Sequence, residues 1–152
     1  MRITELLSPG DCRIDEALAL AARVFNEVEA PIYSKSGAEH FMAFVNGREL
    51  RECLASGNHK MYICSESCTV IGMMMIREGS HISLAFVDGE YRGTGVGREL
   101  FSRIAEDNPH VKFTVHAAPP AEGFYRRLGF VPTDMERLED GILYIPMERK
   151  PD

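Results

Sequence analysis

The sequence predicts a single α/β domain, and three observations support that fold class. Apolar runs of strand length are interspersed with amphipathic segments of helical spacing along the chain. Residues 82–104 change within a few positions from an apolar strand, through a glycine loop, into an amphipathic helix. The 152 residues suffice for one core, and no internal repeat or low-complexity linker divides them. We therefore expect one domain over residues 1–152.

The first third of the chain is predicted to form one strand and two helices. Residues 1–6 have the pattern of a short strand. Asp11 is placed to cap the first helix, and Pro31 to end it. Residues 36–39, SGAE, have the form of a capping box for a second helix, which breaks near Gly47 and resumes.

Strands dominate the rest of the chain. Residues 59–65 and 68–77 predict an antiparallel hairpin, and residues 82–87 a third, central strand. The remaining predicted elements are a helix after the glycine loop, a strand at 111–115, a short helix at 119–128 and strands at 130–131 and 141–147. The predicted order is β-α-α-β-β-β-α-β-α-β-β.

The glycine loop, residues 92–98 with the sequence RGTGVGR, has the composition of an anion-binding site. Alternate glycines allow backbone N–H groups at a helix start to approach an anion closely, and Arg92 and Arg98 add forked donors. A dinucleotide fingerprint would need glycine where Arg98 stands, and a P-loop would need a lysine. A turn without a ligand stays as the alternative. The predicted anion-binding residues are Arg92, Gly93, Thr94, Gly95, Val96, Gly97 and Arg98.

Two motifs resemble those of the GNAT superfamily of acetyl-CoA-dependent N-acetyltransferases. Residues 92–97, RGTGVG, match its (Gln/Arg)-x-x-Gly-x-(Gly/Ala) signature between a strand and a helix. Residues 124–130, FYRRLGF, resemble the Tyr-x-x-x-Gly-Phe segment of its later helix. The resemblance covers nearly the whole chain and implies a mixed, mainly antiparallel sheet with helices on both faces. It also implies acetyl-CoA as the co-substrate.

The resemblance further implies a cofactor site between two central strands that splay apart. Main-chain groups of Phe86 and Val87 are expected to pair with the pantetheine arm. Tyr125 heads the second motif, where the family places its general acid, and is expected to contact the cofactor. His116 stands where many relatives have a cofactor-binding asparagine.

The general base is left open among three residues. His81 begins the central strand at a place where histone-type relatives carry a catalytic glutamate, and a histidine titrates near neutrality. Glu27 and Glu29 end the first helix, in the region that shapes the acceptor pocket of relatives, and Tyr33 is expected to line that pocket. Each also has a structural alternative, as a strand-end histidine, solvated helix-end carboxylates or a core tyrosine.

Composition and charge exclude several other classes of protein. The net charge of −6 argues against nucleic-acid binding, and no apolar run is long enough to span a membrane. The first residues lack the apolar segment of a signal peptide, so we expect a cytoplasmic protein. The four scattered cysteines form no disulfide or metal pattern, and we expect no metal.

The sequence thus predicts transfer of an acetyl group from acetyl-CoA to the amine of a small molecule or peptide, by direct attack in a ternary complex. Residues 92–127 carry more basic than acidic side chains and residues 1–91 the reverse, which fits a polyanionic cofactor on one side. A non-catalytic acyl-CoA-binding or regulatory domain, or an interaction module, are the alternatives. A homodimer paired through residues 142–147 is also compatible with the sequence.

Overall fold

A sheet of eight strands with helices on both faces forms the protein. The computed structural model describes residues 1–139 and 141–151. The strands are β1 (Arg2–Leu6), β2 (His59–Glu66), β3 (Thr69–Arg77), β4 (His81–Val87), β5 (Phe113–Ala117), β6 (Val131–Pro132), β7 (Arg137–Glu139) and β8 (Ile142–Arg149). The α-helices are α1 (Arg13–Val24), α2 (Lys35–Asn46), α3 (Arg48–Ala55), α4 (Val96–Asp107) and α5 (Glu122–Arg127).

The strand order in the sheet is β1-β2-β3-β4-β5-β8-β6, and β7 pairs with β8. Only β4 and β5 are parallel, and all other neighbours are antiparallel. The prediction of a mixed, mainly antiparallel sheet with helices on both faces is confirmed. Several boundaries differ by one or more residues, for example β5, which begins two residues later than predicted, and the short strand β7 was not predicted.

The two parallel strands separate soon after they meet. The ladder contains only two pairs, His81 with Thr114 and Ile82 with Val115. Strand β4 continues to Val87 and β5 to Ala117 without further pairing to each other. The strands therefore form a V that closes at His81 and opens toward the glycine loop.

Each face of the sheet has its own core. In β3, Met73 and Met75 pack with helices α1 to α3, whereas Met74 and Ile76 pack with α4 and α5. Side chains alternate between the faces of a strand, so a strand covered on both faces is apolar throughout. The methionine run 73–75 is explained by this double burial.

The helix starts differ from the predicted caps. The proposed capping box at 36–39 is wrong, because α2 begins at Lys35 and its first turn is capped by Ser34, whose Oγ accepts a hydrogen bond from the Gly37 N–H at 2.9 Å. Asp11 precedes the N-cap residue of α1, yet its Oδ1 accepts from the Arg13 N–H at 2.8 Å. The sequence located the caps to within two residues.

The end of the first helix is irregular. Regular α-helix stops at Val24, a π-helical turn follows over Phe25–Glu29, and a 3₁₀ turn over Ala30–Ile32 contains Pro31. Single π turns within helices occur frequently at functional sites. This turn sets the direction in which Glu29 points.

Strand β8 is not a free edge along most of its length. Residues 145–149 pair with β5, and the opposite edge pairs with β6 and β7. Pairing across a dimer through residues 142–147, as the sequence allowed, would compete with these ladders. A homodimer stays a prediction.

The start of α2 packs closely against the turn before β8. The Ser34 N–H donates to the Gly141 carbonyl at 3.2 Å, and a Cβ on Gly37 would lie 2.5 Å from that same oxygen. We predict that Gly37→Ala lowers the free energy of unfolding by about 1 to 3 kcal/mol, because backbone must shift to admit the methyl group. Urea unfolding measures the change.

Gly10→Ala is the matched control for Gly37→Ala, since a Cβ at Gly10 would have no heavy atom within 4 Å. We expect its urea midpoint to stay within the range of ordinary surface substitutions. Equal midpoints for both variants would contradict the close contact at Gly37.

Candidate active site

The glycine loop leaves open space in front of the α4 N-terminus. Gly95 has φ +93° and is the residue before the first helical turn, and Gly93 has φ +74°. A Cβ at Gly93 would have no heavy atom within 4 Å, and one at Gly95 would have only the Arg2 Nη1 at 4.0 Å. The first N–H groups of a helix lack acceptors within the helix. They are therefore available to an anion in this space.

The third glycine of the loop has a different role. A Cβ on Gly97 would lie 2.7 Å from the Phe124 ring, so its absence allows α4 and α5 to approach each other. Phe124 also lines the cavity described next. The sequence assigned Gly97 to anion binding, and the structure adds a packing requirement at the same position.

A cavity of about 570 Å³ lies between the end of β4, the glycine loop, α5 and the turn that ends α1. Met74 and Val96 belong to the core on the α4 face, whereas Val24 and Val28 belong to the core on the α1 face, and all four line the cavity. The cavity therefore passes through the opening of the V from one face of the sheet to the other.

Most of the residues that the sequence assigned to the site line this cavity. They are Glu29, Phe86, Val87, Arg92, Gly93, Gly95, Val96, Gly97, Arg98 and Tyr125. The assigned residues that are not part of its lining are Glu27, Tyr33, His81, Thr94 and His116.

Three arginines provide positive charge at the cavity. Arg92, Arg98 and Arg127 line it, and none of them forms an ion pair within residues 1–139 and 141–151. Arg126 is different, because its Nε lies 2.7 Å from the Glu122 carboxylate and it does not line the cavity. Arg127 was missed as a site residue, since two adjacent arginines on a short helix look alike in sequence.

Thr94 is held by the first strand. The Arg2 guanidinium donates to the Thr94 Oγ1 at 2.7 Å and to its carbonyl oxygen at 2.8 Å. The Thr94 hydroxyl in turn donates to the Tyr91 carbonyl at 2.6 Å. These contacts tie the glycine loop to strand β1 and to Tyr91.

The environment of Glu29 changes the pKa of its carboxyl group. Glu29 is partly buried in the cavity wall, and this burial raises the pKa of its carboxyl group to about 7, although a hydrogen bond from the Tyr33 hydroxyl at 3.4 Å acts in the opposite direction. Glu27 is exposed. The structure separates these two candidates, which the sequence could not.

Tyr125 lies close to Glu29. Its side chain is buried, and the pKa of its phenol is raised first by burial and then by the negative charge of Glu29. A phenol with a raised pKa keeps its proton at neutral pH. A carboxyl group that titrates near neutrality and a protonated phenol therefore share one cavity.

His81 and His116 lie at the closed end of the V. The His81 Nδ1 is 2.7 Å from the Thr114 Oγ1, and burial together with the charge of Arg77 lowers the pKa of His81 to about 4. The His116 ring stacks on Tyr144 with centroids 4.2 Å apart. Neither histidine is part of the cavity lining, whereas Glu29 is.

No three His, Cys, Asp or Glu side chains among residues 1–139 and 141–151 are grouped so as to hold a metal ion. None of the helices in that part of the chain is long and apolar enough to cross a membrane.

Sequence and structure comparisons relate this chain to proteins of the same family. The family model described as "Acetyltransferase (GNAT) domain" matches residues 29–151. The peptidyl-lysine N-acetyltransferase YjaB of Escherichia coli K12 is 32% identical over 71 residues, which cover 46% of this chain and 48% of that relative. The match therefore spans about half the length of this curated relative.

Solved structures with low sequence identity share the fold. A GCN5-related N-acetyltransferase from Rhodopseudomonas palustris has a TM-score of 0.79 at 18% identity, covering 99% of this chain and 96% of its own. PaiA N-acetyltransferase from Thermoplasma acidophilum, solved in complex with coenzyme A, has a TM-score of 0.74 at 16% identity and 99% coverage of both chains. Apo YjaB has a TM-score of 0.74 at 20% identity, covering 100% and 99%.

The raised pKa of Glu29 predicts a pH dependence of stability. The folded carboxyl binds its proton more tightly than the unfolded one, whose pKa is about 4.5. This contribution is fully present below pH 4.5 and is lost as the pH rises through about 7. From the size of this pKa shift, we expect the free energy of unfolding of wild type to fall by about 3 kcal/mol over this pH interval relative to that of Glu29→Gln.

Urea unfolding at several pH values between 4 and 8 measures this difference. Glu27→Gln is the control, because its carboxyl group is exposed and lies only two residues away. It is expected to follow the wild-type curve. If Glu29→Gln also follows that curve, the carboxyl group is not buried as described.

Proposed function

The chain belongs to the GNAT acetyltransferases, and from this premise we propose that it transfers the acetyl group of acetyl-CoA to an amine by direct attack in a ternary complex. The observation that carries the proposal is the presence of Glu29, Tyr125 and the open glycine loop in one cavity. A non-catalytic acyl-CoA-binding domain would need the loop but not the carboxyl and phenol groups.

The phosphates of acetyl-CoA are proposed to bind at the glycine loop. The N–H groups at the start of α4 and the guanidinium groups of Arg92, Arg98 and Arg127 support this assignment. The pantetheine arm would enter the V beside Phe86 and Val87, which line the cavity at the end of β4. An extended ligand with amides can pair there as an added strand does.

Glu29 is proposed as the general base. A protonated alkyl amine, with a pKa of about 10.4, has no lone pair with which to attack the thioester. A carboxyl group with a pKa of about 7 is substantially ionised at neutral pH and is a stronger base than an ordinary carboxylate. Tyr33 would tune it, because its hydroxyl stabilises the ionised form.

Tyr125 is proposed as the general acid. The amine nitrogen bonds to the acetyl carbon, the carbon–sulfur bond breaks, and the departing thiolate takes the phenolic proton of Tyr125. A thiol of pKa about 8.5 leaves more readily when it receives a proton. The proton that the amine gives to Glu29 balances the one that Tyr125 supplies.

For the acceptor we propose the side-chain amine of a lysine in a peptide. The name of the E. coli relative, a peptidyl-lysine N-acetyltransferase, supports this class. The cavity also opens on the α1 face of the sheet beside Glu29 and the π-helical turn, where a side-chain amine can enter opposite to the cofactor.

Release of free thiol from acetyl-CoA in the presence of lysine peptides tests the proposal. We predict that kcat/KM falls below pH 7 as Glu29 takes up a proton. Glu29→Gln is expected to lower kcat about 10²-fold or more and to remove that limb of the profile, because general-base catalysis contributes 10²- to 10⁴-fold. Glu27→Gln, which alters the exposed neighbouring carboxyl, is expected to behave as wild type.

Tyr125→Phe keeps the aromatic ring and removes only the phenolic proton. We expect it to reduce kcat about 10²-fold while leaving acetyl-CoA affinity close to wild type. If Glu29→Gln and Tyr125→Phe both retain wild-type kcat, the assigned roles are incorrect. If wild type releases no thiol with any amine, acetyl transfer itself is refuted.

A further inference from the structure

A row of basic side chains crosses the sheet at the closed end of the V. In the strand register, His59 of β2 lies opposite Arg77 of β3, Arg77 opposite His81 of β4, and His81 opposite Thr114 of β5. Directly opposite residues point to the same face of a sheet. Three donor-bearing basic side chains therefore stand side by side on one face.

This face is the one from which the proposed acceptor enters. His59 lines a small second cavity together with Ile14 of α1 and Leu54 of α3, which places the row on the α1 face. The helices of that face pack over β4, where Phe41 of α2 meets Phe86 edge to face. Beyond β4 the side chain of His116 is exposed, so the face of β5 is open to solvent there.

His116 adds a second imidazole next to His81. The two rings meet edge to face with centroids 4.9 Å apart, and His116 stacks on the buried Tyr144. Thr114 orients His81 through the 2.7 Å hydrogen bond to its Nδ1. Both rings are thus held by neighbours, and their remaining nitrogens are not engaged by these contacts.

Arg77 is the cation of this group. It is exposed, and within residues 1–139 and 141–151 it forms neither an ion pair nor a side-chain hydrogen bond. Its charge lowers the pKa of His59, His81 and His116, in each case after the larger effect of burial. One guanidinium therefore stands within electrostatic reach of three imidazoles.

The carboxylates near this group do not neutralise Arg77. Glu148 follows Thr114 in the row but lies 3.4 Å from the Lys112 Nζ. Glu139 raises the pKa of His116, but Arg77 lowers that pKa by more. Likewise, Glu78 raises the pKa of His59 by less than Arg77 lowers it. Arg137 is paired with Asp134. The unneutralised charge at the closed end of the V is positive.

We propose that Arg77, His81 and His116 form an anion subsite that binds a carboxylate of the acceptor. The inference rests on the proposed acetyl transfer and specifies its substrate as a lysine in an acidic context. Arg77 would supply charge and forked donors, and the two imidazoles would supply N–H donors. Acceptors without an anion at this distance, such as polyamines, would be poor substrates.

The position of the subsite fixes the spacing between amine and anion. Phe86 lines the cavity from the α1 face and pairs with Met73, which lies four positions along β3 from Arg77, the partner of His81. At about 3.3 Å per strand residue this distance is about 13 Å. An extended peptide spans it with three or four residues, so the acidic residue belongs about three positions from the lysine.

Steady-state acetylation of matched peptides tests the subsite. Each peptide is blocked at both ends and contains one lysine and, three residues away on either side, aspartate, asparagine or phosphoserine. For wild type we expect the aspartate peptide to have a KM about tenfold lower than the asparagine peptide, at similar kcat. A tenfold change in KM corresponds to the free energy of one charge-assisted hydrogen bond near a protein surface. The phosphoserine peptide tells whether phosphate serves as well.

Arg77→Gln is expected to reduce the aspartate preference to about onefold without changing kcat for the asparagine peptide. Arg48→Gln is the matched control, because Arg48 is also exposed and without an ion pair among the described residues, but lies on α3. Equal KM values for the two peptides in wild type would overturn the subsite. So would an equal loss of preference in Arg48→Gln.

Histidine NMR separates failure of the subsite from failure of acetyl transfer. Titration with the aspartate peptide is expected to shift the ring signals of His81 and His116, assigned with His81→Gln and His116→Gln, and to raise their pKa values. The surface residue His110 serves as an internal reference. NMR shifts of the two histidines without thiol release would support the anion subsite and refute catalysis. Thiol release without NMR shifts and without a preference for the aspartate peptide would support catalysis and refute the anion subsite.

Discussion

The short parallel ladder between β4 and β5 is the constraint on which the rest of the site depends. His81 and Ile82 hold the two strands together at one end, and the strands diverge beyond them. Without that divergence the cavity would not pass through the sheet, and Glu29 and the glycine loop would face separate surfaces. The cost is a set of main-chain groups without a strand partner, which an extended amide-bearing ligand is suited to satisfy.

The divergence of β4 and β5 also explains why Glu29 is partly buried whereas Glu27 is exposed. The π-helical turn Phe25–Glu29 directs Glu29 into the opening, whereas Glu27 stays in solvent. Burial that raises the pKa of Glu29 to about 7 reduces stability at neutral pH and, in the proposed reaction, provides the base. Function and stability therefore oppose each other at this residue, as is common where proteins bury ionisable groups.

Local sequence pattern predicted the fold class and the glycine loop, and the family resemblance pointed to Tyr125, which lines the same cavity as that loop. It could not choose between Glu27 and Glu29, since a π turn changes which side of the helix faces inward and leaves no periodic signal. His81 and His116 were assigned to catalysis and cofactor contact from their positions along strands. Their separation from the cavity depends on where the ladder between β4 and β5 ends, which is a long-range property.

The most direct test of the proposed cofactor site is calorimetric titration of acetyl-CoA into wild type, Gly95→Glu and Gly10→Glu. The Gly95 substitution places a carboxylate in the open space before α4, and the Gly10 substitution adds the same charge at a site with no heavy atom near its Cβ position. We expect one binding site in wild type and Gly10→Glu and none in a folded Gly95→Glu. No binding to wild type, or equal binding to all three, would contradict the proposed cofactor site.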